Sequence, residues 1–146
     1  MNPIIIAIDG QASTGKSTQA KKIADKLGYN YRDSGAYYRA ITLYLLQNNI
    51  SSDGIITDNI LDKIYINQKY IDKKLIIFLN DIDVTKKIRG YKVSINVSNY
   101  AKKPEIRNLV YSQLRKSSKT NSLVIDGRDI GTVVFPDAAF KFFLCA

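Results

Sequence analysis

The sequence predicts an α/β protein: a mostly parallel sheet flanked by helices, with a small antiparallel sheet inserted partway along. Three observations predict it. Residues 4–9, 123–126 and 141–144 are nearly continuous apolar runs, the pattern of strands buried on both faces rather than one. Segments with helical spacing fall between such runs. In the middle, two strand-like stretches flank the turn-forming residues Asp72, Lys73 and Lys74.

The elements follow in order. Residues 4–9 read as the first strand. After a glycine-bounded loop, Ala20, Ile23, Ala24 and Leu27 fall at helical spacing, and Gly28 stands where a helix would stop. Residues 29–32 read as a second strand. Residues 36–48 read as a helix with Ala40, Ile41, Tyr44 and Leu45 on one face. Thr57 is placed to cap a short helix through residue 63. Residues 64–70 and 75–79 form the inserted sheet. Residues 91–101 and 104–115 are two further helices, the second with Pro104 in its first turn and Ile106, Leu109, Val110 and Leu114 on one face. The two remaining apolar runs return to the main sheet.

Length and composition bound the function. The 146 residues suit one domain, and 45 % hydrophobic with 24 % charged residues is ordinary globular composition. A single cysteine, Cys145, excludes an intrachain disulfide and suits a reducing, cytoplasmic setting. The apolar start lacks the basic residues of a signal peptide, and no run approaches the roughly 20 residues that span a bilayer, so no membrane partner is expected. The net charge of +9 comes partly from scattered lysine pairs and not from a long basic run. A solvated surface and small polyanionic ligands are therefore expected, not nucleic acid. There is no histidine, which excludes imidazole as base or metal ligand.

Gly10, Gln11, Ala12, Ser13, Thr14, Gly15, Lys16 and Ser17 fit G-x-x-x-x-G-K-[ST] at every fixed position, with a strand before and a helix after. Glycines let the backbone curl so that several N–H groups face one anion, and the helix that follows aims its positive end at the same point. Lys16 brings a mobile charge to β- and γ-phosphates, and the Ser17 hydroxyl can ligate Mg²⁺. The metal also needs an acid at the end of a neighbouring strand, and Asp126 ends the run 123–125.

Such a loop gives a nucleotide site, not a reaction. A guanine-specific switch usually carries N-K-x-D, and no such tetrapeptide occurs. A motor usually needs a longer chain. A kinase needs a second site for the acceptor, positive if the acceptor is a phosphate. Ser34 and Arg39 lie at a strand–helix junction on the expected ligand edge, although a plain capping serine and a surface arginine fit the spacing equally well. Asp126, Arg128 and Asp129 crowd charges beside a buried strand, which is costly unless they pair with ligands or with each other.

Three stretches carry a resemblance: Ile8-Asp9-Gly10 entering the loop, DSGAYYR at 33–39, and DGRDIGTVVFPDA at 126–138. Together, in this order and over essentially the whole chain, they resemble bacterial cytidylate kinase. The resemblance implies a P-loop kinase core over 1–146 with a monophosphate-binding insert at about 34–115. It implies transfer of the γ-phosphate of ATP, with Mg²⁺, to CMP and dCMP by a cytoplasmic enzyme, with a monomer as the expectation. Residues 10–18, ending in Thr18, would hold ATP, with Lys16 and Arg128 catalytic and Ser17 and Asp126 at the metal. Ser34, Tyr38, Arg39, Ser98, Arg107, Arg128 and Asp129 would bind the cytidylate. Gln11 stands where the family commonly has proline. The family continues past residue 144 with an arginine-bearing lid, a strand and a helix, whereas the sequence given stops at Ala146. The expectation is therefore a piece of a longer enzyme, binding nucleotide with little turnover. The competing readings are a non-catalytic nucleotide-binding module and another P-loop small-molecule kinase.

Overall fold

Parallel pairing dominates the first of two compact units in the computed structural model, which describes residues 2–11 and 14–145. This unit takes described residues from 1–34, 69–75 and 113–146. Strand β1 (Ile5–Gly10) pairs in parallel with β6 (Leu123–Gly127) on one side and β7 (Phe140–Leu144) on the other. Strand β2 (Asn30–Asp33) pairs in parallel with β6, giving the order β2-β6-β1-β7. All five residues of β6 and five of the six of β1 are buried, which is why both read as unbroken apolar runs.

Helix α1 (Lys16–Leu27) connects β1 to β2 and stops at Gly28, whose φ of 69° is the left-handed cap conformation that glycine adopts without strain. Its buried stripe is Ala20 and Ala24. Four residues further the stripe meets Gly28 itself, so Leu27 falls to one side and is 50 % exposed, against the expectation that it shares the buried face. Ile6, Ile8, Ala20, Ala24, Tyr31 and Val124 form one apolar cluster, against which Tyr70 and Leu75 also pack.

The second unit comprises residues 35–68 and 76–112. It holds most of α2 (Ser34–Gln47), then α3 (Asp58–Leu61), α4 (Tyr91–Ala101) and the start of α5 (Pro104–Ser117). Its sheet has the order β3-β4-β5, from β3 (Ile66–Ile71), β4 (Lys74–Leu79) and β5 (Ile82–Asp83). The tip of the β3–β4 hairpin, residues 69–75, belongs to the first unit. Thr57 is the N-cap of α3, as its position suggests, but its side chain makes no capping bond. Strand β5 and the 3₁₀ turn Lys87–Arg89 are too short to leave a periodicity in sequence.

Candidate functional site

The C-terminal ends of β1, β2 and β6 meet at one edge of the parallel sheet, because Ile8 and Asp33 both stand in register with Asp126. Gly10 closes β1 at this edge. A Cβ there would lie 2.8 Å from the Leu144 carbonyl oxygen and 3.0 Å from Thr14 Oγ1, so only glycine lets the loop leave the strand this close to β7. Thr14 Oγ1 donates to the Gln11 carbonyl at 2.7 Å, and Lys16 Nζ reaches the same carbonyl at 3.4 Å. Gly15, with φ 80°, is the N-cap of α1, and among the described residues no side chain caps the helix, whose start can therefore receive an anion. Ala12 and Ser13 lie outside the described residues. Thr18, one turn in, is exposed.

Gly15, Lys16, Ser17, Asp33 and Asp126 line one cavity of about 310 Å³. The structure therefore brings together the lysine, the hydroxyl and the strand-end acid that the sequence points to, and adds Asp33. Asp126 is 2 % exposed. Burial, and next the charge of Asp33, push its carboxyl up from the usual carboxylate range to about 7. The Tyr31 hydroxyl, donating to Asp126 Oδ2 at 2.5 Å, opposes that push, as do Lys16 and Lys21. Among the described residues no group of three or more Asp, Glu or Cys side chains is gathered for a metal. The donor set fits a different arrangement, in which a hard cation meets the Ser17 hydroxyl, the Asp126 carboxylate and oxygens of a bound ligand. A cation there would also relieve the repulsion between Asp33 and Asp126.

The segment after β6 is fixed from β1. Asp9, 6 % exposed, accepts from the backbone N–H groups of Ile130 (2.9 Å) and Gly131 (2.8 Å). Residues Ile130–Val134 coil into a π-helical turn, closed by Phe135 N donating to the Ile130 carbonyl at 2.7 Å. Arg128 is exposed and Asp129 half-buried between the two. Ser34, the first residue of α2, is buried against Gly127, where a Cβ would overlap its Oγ and stand 2.7 Å from Ile130 Cγ1.

The remaining residues predicted to bind the acceptor lie in the second unit. Arg39 Nη1 donates to the Ile88 carbonyl and to Ser94 Oγ, both at 3.0 Å. The Arg107 guanidinium lies 5.9 Å from the centre of the Tyr38 ring and 5.7 Å from that of Tyr111, and its Nε donates to the Tyr111 hydroxyl at 3.1 Å. Ser98 is exposed on α4.

Sequence reasoning assigned no role to Asp9, Tyr31, Asp33, Ser94 or Tyr111. Asp9 and Asp33 lie within the stretches 8–10 and 33–39, and that position is their signal in the sequence. The other three act through partners that local spacing does not reveal.

A family model described as cytidylate kinase matches residues 6–146. A cytidylate kinase of Fusobacterium nucleatum is 47 % identical over 147 residues, covering 100 % of this chain and 66 % of that protein. One of Streptococcus equi subsp. zooepidemicus is 45 % identical, with 100 % and 66 % covered. One of Aster yellows witches'-broom phytoplasma is 49 % identical, with 100 % and 65 % covered. The chain thus spans 66 % of the length of the first two of these relatives.

Proposed function

Because the chain belongs to the cytidylate kinase family, we propose that it serves the ATP-dependent phosphorylation of CMP and dCMP to their diphosphates, in the cytoplasm and as a monomer. The observation that carries this reading is the cavity lined by Gly15, Lys16, Ser17, Asp33 and Asp126 at the sheet's C-terminal edge. It joins an anion-binding helix start and a lysine to a pair of acids, which is what a metal-bound triphosphate requires.

Each residue takes a role from its chemistry. The loop from Gly10 to Thr18 binds the ATP phosphates through its backbone N–H groups. Lys16 is held near the loop by the Gln11 carbonyl and swings to the β- and γ-phosphates when they arrive. Ser17 and Asp126 would hold Mg²⁺, which would supply positive charge to the triphosphate. Arg39 and Arg107 bind the acceptor phosphate, and each is already oriented by hydrogen bonds in its own unit. Ser34, Tyr38, Ser98, Arg128 and Asp129 contact the rest of the cytidylate, Arg128 also meeting the phosphoryl group in transfer. No imidazole base is available in a chain without histidine. None is needed, since a phosphate monoester with a second pKa of about 6 is already anionic at neutral pH.

The test is calorimetric binding of CMP, dCMP, UMP and AMP, with coupled-assay turnover on the same nucleotides. Cytidine nucleotides are expected to bind tightest and turn over fastest, and preference for AMP would refute the assignment. Lys16→Ala should weaken ATP binding and leave CMP binding unchanged.

A further inference from the structure

Tyr31 is 1 % exposed and lies on β2, one strand away from the loop of residues 10–18. Its hydroxyl donates to Asp126 Oδ2 at 2.5 Å. The ring that carries this hydroxyl is held on two sides. Lys21 Nζ of α1 stands 5.8 Å from its centre. The Tyr70 ring meets it edge-on, centres 5.5 Å apart and planes at 73°. Tyr70 in turn donates from its hydroxyl to Asp25 Oδ1 of α1 at 2.8 Å. The hairpin tip, α1 and β2 therefore converge on one phenol, and that phenol converges on one carboxylate oxygen.

We propose that Tyr31 is a positioning residue for Asp126, and that Tyr70 on the hairpin tip keeps Tyr31 in place. The proposal rests on the reading of Asp126 as the metal-side carboxylate. A buried carboxylate has two oxygens and a rotatable bond. With Oδ2 engaged by a neutral donor, the carboxylate plane is fixed and Oδ1 is left for the cation or its water. Tyrosine suits the task because its hydroxyl satisfies the oxygen without neutralising the charge that the cation needs. A lysine or arginine there would compete with the metal.

The experiment measures ATP affinity of the chain in Mn²⁺ and again in EDTA, with free Mn²⁺ followed by electron paramagnetic resonance. The ratio of the two affinities reports the metal-dependent gain. Tyr31→Phe keeps the ring and removes the hydroxyl, and is expected to cut that gain about tenfold while affinity in EDTA stays unchanged. Tyr70→Leu, at a half-buried position that leaves every atom of Tyr31 and Asp126 intact, is expected to cut it about threefold. An unchanged gain in both variants overturns the proposal. Equal losses in Mn²⁺ and in EDTA also overturn it, because they reveal a merely structural tyrosine. Asp126→Asn separates the premise: if that variant keeps the gain, the metal reading of Asp126 fails, whereas if it alone loses the gain, only the role of Tyr31 fails.

Discussion

Asp9 sits in the middle of the stretch that identifies the loop, yet its carboxylate serves the backbone of another segment. Both of its oxygens accept from N–H groups of the π-helical turn. Asp9→Ala would leave two buried donors unsatisfied, at about 1–3 kcal/mol each. The expected result is a stability loss of roughly 3 kcal/mol by urea denaturation, with a smaller loss for Asp9→Asn, which keeps one acceptor oxygen. Asp126 gives a pH-dependent prediction of opposite character. Its folded-state pKa is raised to about 7 by burial and by Asp33. Between its unfolded pKa near 4 and about 7 the folded chain binds the extra proton. Stability should therefore fall as pH rises through that window, by at most roughly 1.4 kcal/mol per pH unit, and level off above it. The check is denaturation in EDTA from pH 4.5 to 8, compared with Asp126→Asn, in which this fall should vanish; a wild-type curve parallel to that of the variant would refute it. Lys16, Ser17 and Asp126 were legible in sequence because motif spacing and strand ends determine them. Asp33 and Tyr31 were not, because their neighbour Asp126 is set by the pairing of β2 with β6, which no local spacing encodes.

At the scale of elements, the runs of buried strand and the stop at Gly28 were readable because a single periodicity or a single residue decides each. The turn at Ile130–Val134 was not readable. A β-branched run would suit a strand, and it coils because Asp9 satisfies its first N–H groups from outside. The β3–β4 hairpin shows a local conflict that was half visible. The turn residues were recognised, but Asp72 and Lys73 adopt φ of 52° and 65°, the signs of a type I′ turn, which favours Asn-Gly. Lysine at positive φ costs about 1 kcal/mol that glycine avoids. Lys73→Gly should therefore raise stability by about 0.5 kcal/mol after the entropy of the more flexible unfolded chain is subtracted. Lys73→Val should lower it by more than that, since a β-branched residue fits positive φ worse still. Paired thermal melts of the two variants check both signs.

At the scale of the whole molecule, charge and exposed apolar surface act against each other. The described part of β7 forms one edge of the parallel sheet, and Phe140, Phe142 and Phe143 on it are 54 %, 48 % and 67 % exposed. An apolar edge strand with free backbone groups is a template for another chain. The net charge of +9 opposes that pairing by repulsion between copies. Repulsion of this kind is screened over about 10 Å at 0.1 M salt, so it protects best in dilute buffer. It also weakens as pH approaches the pI of about 9.6. Self-association should consequently grow with added salt and as pH rises from 7 to 9.5, which light scattering on a concentration series would detect. Phe143→Lys places a charge on the edge itself and should suppress this growth under all these conditions. A chain whose scattering depends neither on salt nor on this substitution would show that β7 is not the surface through which copies meet.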